Sequence, residues 1–432
     1  MKMLMLTLLA LLITSGVRPA YGEGGHAPIV DVTREVYAEH PEPKTAVNVA
    51  VYYVGAGLER EETHSLEAVS DTPERPKRRR SKDNGRTWSD FEPIPDIVSH
   101  EQGARIYWGG GAPFYDEAAG VYVSIWLRQT YVNKLYRNQC YYRLSYDDAR
   151  TWSDPKQLRY EDGAYLDPEN ITDPAFITRN EVYPGNNTIR HSNGTLIHAG
   201  ASVNVPYENP EGVSYHPWFP ADSKNIGSAC FIGRWNAETK DYAWTAGKPV
   251  WVGLEVSSRG LLEPEVAELT DGRVLVIWRG SDSPVTQGRK WFSVSDDGGL
   301  TLSPVQELKY DDGGRFYSPS SFHRMIRHSV TGRLYWLGNI SPTPPHGNSP
   351  RYPLIIAEVD ETIPALKKHT VTVIDDLAPG ESPKLQLSNF SLLENRETHD
   401  LEVYLTRLGA DPEDFWGSDA YKYTLRLREG TE

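Results

Sequence analysis

Cysteine is nearly absent from this sequence: Cys140 and Cys230 are the two in 432 residues. A fold stapled by several disulfides is therefore excluded. Export would permit one bridge between them, and two buried free thiols fit equally well. No Cys/His cluster has the spacing of a structural zinc site. No loop follows the oxygen-ligand pattern of a calcium site, although the many loop carboxylates leave a bound metal open; no metal site is assigned and no cofactor is expected. Long apolar runs are missing too, except between Leu4 and Val17, which is short for a bilayer span. Lys2 precedes that run and the small-x-small stretch Ala20-Tyr21-Gly22 follows it, so residues 1–22 read as a secretory signal peptide. This predicts a secreted or periplasmic protein with no membrane span after cleavage. Positive charge is not in excess either. The formal net charge of −14 argues against nucleic acid or an anionic membrane as partner. It leaves room for an acidic sugar, because a local pocket can be basic on an acidic protein.

Helix signals are scarce, whereas Tyr, Trp, Gly and Pro are abundant. That composition predicts many short strands joined by turns. Strands are expected at residues 29–37, 45–54, 112–115, 121–128 and 140–146, with a charged loop over 59–77. Residues 187–198, 265–279 and the surroundings of 331–336 read as hairpins around Asn-Gly, Asp-Gly and Thr-Gly turns. The basic run Lys77-Arg78-Arg79-Arg80 reads as a solvated edge that discourages strand pairing. A final alternating strand over 421–428 is placed to complete the blade begun near Ile29 and so close a ring.

One short pattern organises all of this. Ser81-x-Asp83-x-Gly85-x-Thr87-Trp88 returns at Ser145-x-Asp147-x-Ala149-x-Thr151-Trp152 and at Ser295-x-Asp297-x-Gly299-x-Thr301-Leu302. The Asp accepts backbone N–H groups to close a turn, and the Gly supplies a conformation that side chains resist. The Thr and Trp begin the next strand. Recurrence in one chain argues for a repeat architecture. The pattern resembles the Asp-box of the sialidase (neuraminidase) superfamily and other Asp-box propellers. The resemblance implies an all-β fold, a β-propeller that is most often six-bladed. Residues 23–432 are expected to form one such domain with a sugar site at its centre, away from the Asp-box turns.

The family's chemistry can be carried over one residue at a time. Sialidases use a Tyr nucleophile, because an anionic nucleophile would be repelled by the carboxylate on the sugar's anomeric carbon. A Glu activates the Tyr, an Asp serves as acid/base, and three arginines clamp the substrate carboxylate. Glu263 and Arg279 flank the hairpin Gly272 at the family's spacings, about nine residues before and about seven after. They resemble the activating Glu and one clamp arginine. Tyr317 follows the third Asp-box where the family places its nucleophile, and Arg289 resembles another clamp arginine with its register shifted by one. Asp71 lies in the loop ahead of the first Asp-box, with Glu67 and Glu74 close by, and resembles the acid/base by position. The family's Arg-Ile-Pro motif for the first clamp arginine is missing; Arg34 lies in that region, and Arg60 and Arg105 are other options. His191, His198, His323 and Arg324 are further polar residues that could face a pocket or sit in strands.

The resemblance thus implies a glycoside hydrolase that releases a terminal, acidic sugar from a glycan partner through a Tyr317/Glu263 pair. The alternatives are another Asp-box propeller hydrolase or lyase working with His and Tyr, and a glycan-binding propeller without turnover. Nothing in the sequence fixes an oligomeric state.

Overall fold

The computed structural model describes residues 26–428, apart from 96, 112 and 210. The expected signal peptide at 1–22 lies outside the described residues. Helix among them is confined to Pro174–Ile177 and the 3-10 turn Lys368–Thr370. No helix of the described residues is long and apolar enough to cross a membrane. The rest is a six-bladed β-propeller built from six antiparallel sheets.

The first blade is Ala46–Tyr53, Arg60–Glu67, Glu74–Ser81 and Glu92–Pro93. The second is led by Ala104–Gly110, Val121–Val132 and Leu135–Ser145. The third is Tyr183–Arg190, Leu196–Asn204, Asn225–Asn236 and Asp241–Ala246. The fourth is Leu262–Glu268, Val274–Arg279, Lys290–Ser295 and Gln306–Glu307. Arg324–Arg327, Leu334–Asn339 and Leu354–Asp360 lead the fifth. The sixth joins Ser391–Glu394, Leu401–Thr406 and Ala420–Leu427 to the N-terminal strand Val30–Ala38. That last pairing, Val30 opposite Leu427 through Ala38 opposite Ala420, closes the ring with chain from both termini. It covers the edge that Ala420–Leu427 would otherwise leave free, and Val30–Ala38 becomes the outer strand.

The Ser-x-Asp-x-Gly repeats make the turn from third to fourth strand in the first, second and fourth blades. In each, the Ser hydroxyl bonds the Asp carboxylate and accepts the backbone N–H of the glycine slot, and the Asp accepts the Thr N–H. Gly85 and Gly299 sit at φ 86° and 94°, and Ala149 is held at 59° in the same slot. Antiparallel order places these turns at one end of the ring, so every loop from second to third strand opens at the other end.

Apolar cores lie between the blades. Trp278 and Trp336 are wholly buried, as are Leu275, Ile277 and Leu337. Each such Leu or Ile contributes roughly 1.5–3 kcal/mol over leaving it in water. Cys140 and Cys230 are both free and buried in this packing, in strands of neighbouring blades.

Two expectations fail in the first blade. The charged stretch 59–77 is not a loop: Arg60–Glu67 is a strand, and the basic run sits in the strand Glu74–Ser81, paired on both sides. The register explains it. Glu61 stands opposite Arg80 and Glu62 opposite Arg79. Arg79 Nε donates to Glu62 at 3.0 Å and Arg80 Nε to Glu61 at 2.9 Å. Directly opposed unlike charges stabilise a sheet much as apolar pairs do.

Candidate functional site

The loops on the open face converge on a cluster of buried charge. Its foundation is a bulge in the innermost strand of the fourth blade. Leu262 pairs with Arg279 and Glu265 with Ile277, so one extra residue is carried between them. The bulge holds Glu263 at φ 42°, where a side chain other than glycine rarely sits. Pro264 follows it and lacks the N–H that a bulge would leave unpaired. The neighbouring strand Tyr183–Arg190 presses close. A Cβ on Gly185 would lie 2.7 Å from the Pro264 carbonyl and 2.3 Å from that of Ala199, so only glycine fits. Asn186 Nδ2 donates to the Glu263 carbonyl at 3.2 Å.

Turned in this way, Glu263 meets Arg279. The Arg279 Nη1 donates to Glu263 Oε1 at 2.5 Å, Nε to Ser320 Oγ at 2.9 Å and Nη2 to Asn348 Oδ1 at 3.2 Å. Arg259 donates to the same Ser320 hydroxyl, to Asn348 Oδ1 at 2.8 Å and to Ser281 Oγ at 2.8 Å. Arg351 Nη2 donates to the Ser320 carbonyl at 3.4 Å, while its Nη1 is held by Gln386 at 2.7 Å. Three guanidinium groups from three parts of the ring thus meet at one serine. All three are buried. Lys290, opposite Arg279 in the sheet, is fully buried beneath them and donates to the Ser321 carbonyl at 2.6 Å.

Burial pushes the Glu263 carboxyl up, but Arg279, Arg351 and Lys290 outweigh it and hold its pKa below the ordinary value. Burial pushes Arg259, Arg351 and Lys290 down, and Arg279 beside them pushes further. Glu263 Oε2 and Arg351 Nε are among the buried polar atoms without a hydrogen-bond partner. The partly buried Tyr183 phenol is pushed up by burial and next by the Glu263 charge, with Tyr107 and Asp71 also acting on it. The phenol is therefore held protonated within the field of the Glu263 carboxylate.

The residues expected from the sequence separate into two sets. Glu263 and Arg279 are in direct contact. Asp71 sits at φ 57° on an exposed second-to-third-strand loop, its N–H bound to Glu67 at 2.7 Å, and its charge acts on Arg351 and Tyr183. Arg34, Arg289 and Tyr317 are elsewhere. Arg34 lies on the outermost strand of the sixth blade, 3.1 Å from Asp375. Arg289 pairs with Glu307 on the outer strand at 2.9 Å and donates to the Phe316 carbonyl at 2.7 Å. Successive strand residues point to opposite faces, so Lys290 takes the inner position and Arg289 the outer. Tyr317 lies with its ring centroid 4.6 Å from the Arg289 guanidinium; among the described residues no hydrogen bond joins either Tyr317 or Tyr183 to Glu263, whose Oε1 is held by Arg279 and whose Oε2 has no partner. Arg60 is buried against Glu402 at 2.8 Å.

His191 and His198 serve the scaffold. His191 bonds the Gly272 carbonyl at 2.9 Å, and His198 the Asn187 carbonyl at 2.9 Å. His323 is buried against the Trp336 ring, and Arg324 pairs with Glu265 at 3.0 Å. The sequence reading missed Arg259, Arg351, Lys290 and Tyr183. Arg259 alone carried a local signal, standing four residues ahead of Glu263 in the same segment.

No protein-family model matches the chain. No curated protein matches it. Among solved structures it is similar to the alpha-L-arabinanase of Penicillium chrysogenum complexed with arabinobiose, at 13% identity over 93% of this chain and 97% of that one, TM-score 0.48. It is similar to the alpha-L-arabinofuranosidase of Fusarium graminearum with arabinobiose, at 12% identity over 91% and 96%, TM-score 0.46. It is also similar to the phage phi92 endosialidase, at 11% identity over 93% and 70%, TM-score 0.44. Sialidases are one kind of neighbour among several propeller glycoside hydrolases.

Proposed function

We propose that this chain is a glycoside hydrolase that releases an anionic sugar of the sialic acid type from a glycan. One observation carries the reading. Arg259, Arg279 and Arg351 converge on Ser320 beside Glu263, whose Oε2 is buried and unpartnered. A buried cluster with more cations than anions is unfavourable by itself, and a substrate carboxylate would relieve it through charge-assisted hydrogen bonds. In this reading Tyr183, rather than Tyr317, is the nucleophile. Its Oη attacks the anomeric carbon as Glu263 Oε2 takes the phenolic proton. Asp71 protonates the departing glycosidic oxygen. Asp71 then draws a proton from water, which attacks the anomeric carbon and displaces the Tyr183 oxygen, and Glu263 returns the proton.

A second reading, β-elimination on a uronic acid, is favoured by His216. Burial and then Arg259 push its pKa down to about 4, which keeps a neutral imidazole next to the arginines. Such a group could take the proton beside a clamped carboxylate.

Turnover of a fluorogenic sialic acid glycoside tests the proposal. Tyr183→Phe and Glu263→Gln should each lower kcat by about 10²–10⁴-fold, with Tyr317→Phe close to wild type. Full activity in Tyr183→Phe would remove it from the mechanism. An inert wild type that releases an ultraviolet-absorbing product from a uronate polymer would replace hydrolysis by elimination.

A further inference from the structure

Exposed aromatic side chains gather at one place on the open face. Tyr131 and Tyr136 stand directly opposite each other in the second blade, rings 4.8 Å apart, across a two-residue turn in which Asn133 and Lys134 both have positive φ. A turn of that kind matches the twist of its strands and fixes the pair. Trp218 comes from the corresponding loop of the third blade, with its ring 6.2 Å from that of Tyr136. A tight turn holds it: Phe219 N–H donates to the His216 carbonyl at 2.9 Å, and Trp218 N–H to His216 Nδ1 at 3.3 Å. Trp218 is 61% exposed, Tyr136 42% and Tyr131 37%. Soluble proteins seldom gather aromatic surface in water without a use for it.

The patch reaches towards the charged centre through His216. Its ring is 5.6 Å from Trp218, and burial, then the charges of Arg259 and Arg279, disfavour its protonation. An occupant that spans both places would run from an anionic group at the arginines to something that stacks on tilted aromatic faces. The ring faces carry partial negative charge, and the C–H face of a pyranose carries partial positive charge.

We infer that Tyr131, Tyr136 and Trp218 form a second subsite that stacks a sugar ring further along the same glycan. The substrate is then an oligosaccharide or polymer, recognised at two places, rather than an isolated terminal sugar. This rests on the hydrolase reading for the anionic end of the glycan, but the platform can be tested separately. Calorimetric titration of the intact protein would compare sialyllactose with free sialic acid, and an oligogalacturonide with free galacturonate. For at least one pair, the oligosaccharide should bind roughly tenfold more tightly than its monosaccharide. Trp218→Ala and Tyr136→Ala should each remove that advantage and leave monosaccharide affinity unchanged. Arg279→Ala should weaken both members of the pair alike. Unchanged oligosaccharide affinity in both aromatic variants, or oligosaccharides that bind no better than monosaccharides to the wild type, would overturn the platform. An aromatic effect without an Arg279 effect would keep the platform and sink the clamp. Trp218 and Tyr136 are surface residues, so both variants should melt as the wild type does.

Discussion

Two groups of charge in this ring use the same residue types and are opposite in character. Where the fifth and sixth blades meet, Arg407 and the partly exposed Arg34 face Asp375 and Glu381. Both Glu381 oxygens lie 2.6 Å from Arg407 Nη2, Arg34 is 3.1 Å from Asp375, and Tyr423 donates to Asp375 at 2.5 Å. Two cations are bonded to two anions there. Burial pushes the Arg407 pKa down, but Asp375, Tyr423 and Glu381 more than offset it and the pKa rises. Around Ser320, Arg259, Arg279, Arg351 and Lys290 face the single buried carboxylate of Glu263. There burial and like charge act in the same direction on Arg259, Arg351 and Lys290, whose pKa values fall. Equal charges lock two blades together. Unequal charges hold a site in an unfavourable state until an anion arrives.

The sharpest way to break this comparison is to make one substitution in both places. Arg407→Met leaves Asp375 and Glu381 without their buried partner and should cost about 3 kcal/mol of unfolding free energy. Lys290→Met removes a surplus charge, and the lost bonds to the Ser321 and Pro319 carbonyls offset the relief. It should stay within about 1 kcal/mol of wild type. Denaturant melts of both variants decide it. Equal losses would mean that the two clusters do not differ in kind.

How much of this contrast could be read in the chain depends on sequence distance. The ring was legible because its signals are local: a Ser-x-Asp-x-Gly-x-Thr-Trp turn needs eight adjacent residues, and a hairpin needs two strands and a Gly. Glu263 and Arg279 were legible together for the same reason, since one hairpin and its bulge join them. Arg259 meets Arg279 at Ser320 and Asn348, and Arg351 joins them at Ser320, through loops of different blades; for Arg351 no spacing announces that. Arg289 and Lys290 differ by one residue, which in a strand is the difference between the outer and inner face. The strand Arg60–Glu67 was hidden because its alternation is written in charges that pair across the sheet.

A ligand sharpens the comparison further. An anionic sugar that enters the Ser320 cluster binds the native state alone. At about a hundred times its Kd it should add about 2.7 kcal/mol of stability. Thermal melts with sialic acid and with galacturonate should show an upward shift in wild type and in Arg407→Met. The shift should vanish in Arg279→Ala. A neutral hexose should shift none of them. Equal shifts from neutral and acidic sugars would show that charge is not what the centre recognises.

The smallest expected effect is in alkali, and its sign separates the clusters. Lys290 has a folded pKa well below its ordinary 10.5. Below the folded value both states hold the proton, and the native state bears the full cost of the buried charge. Between the folded value and 10.5 the native state has released the proton while the unfolded chain keeps it. Unfolding then takes up a proton, so stability rises with pH through that window. Wild type should therefore gain on Lys290→Met as pH climbs towards 10.5, and no further above it. Arg407 has a raised pKa and stays protonated in both states across the same window. The wild-type and Arg407→Met curves should run parallel there, with the exposed tyrosines cancelling in the difference. Chemical denaturation across that pH range measures both differences. A wild-type curve that falls relative to Lys290→Met would mean that the lysine is stabilised in the folded state, and the centre would then carry no surplus charge for an anion to relieve.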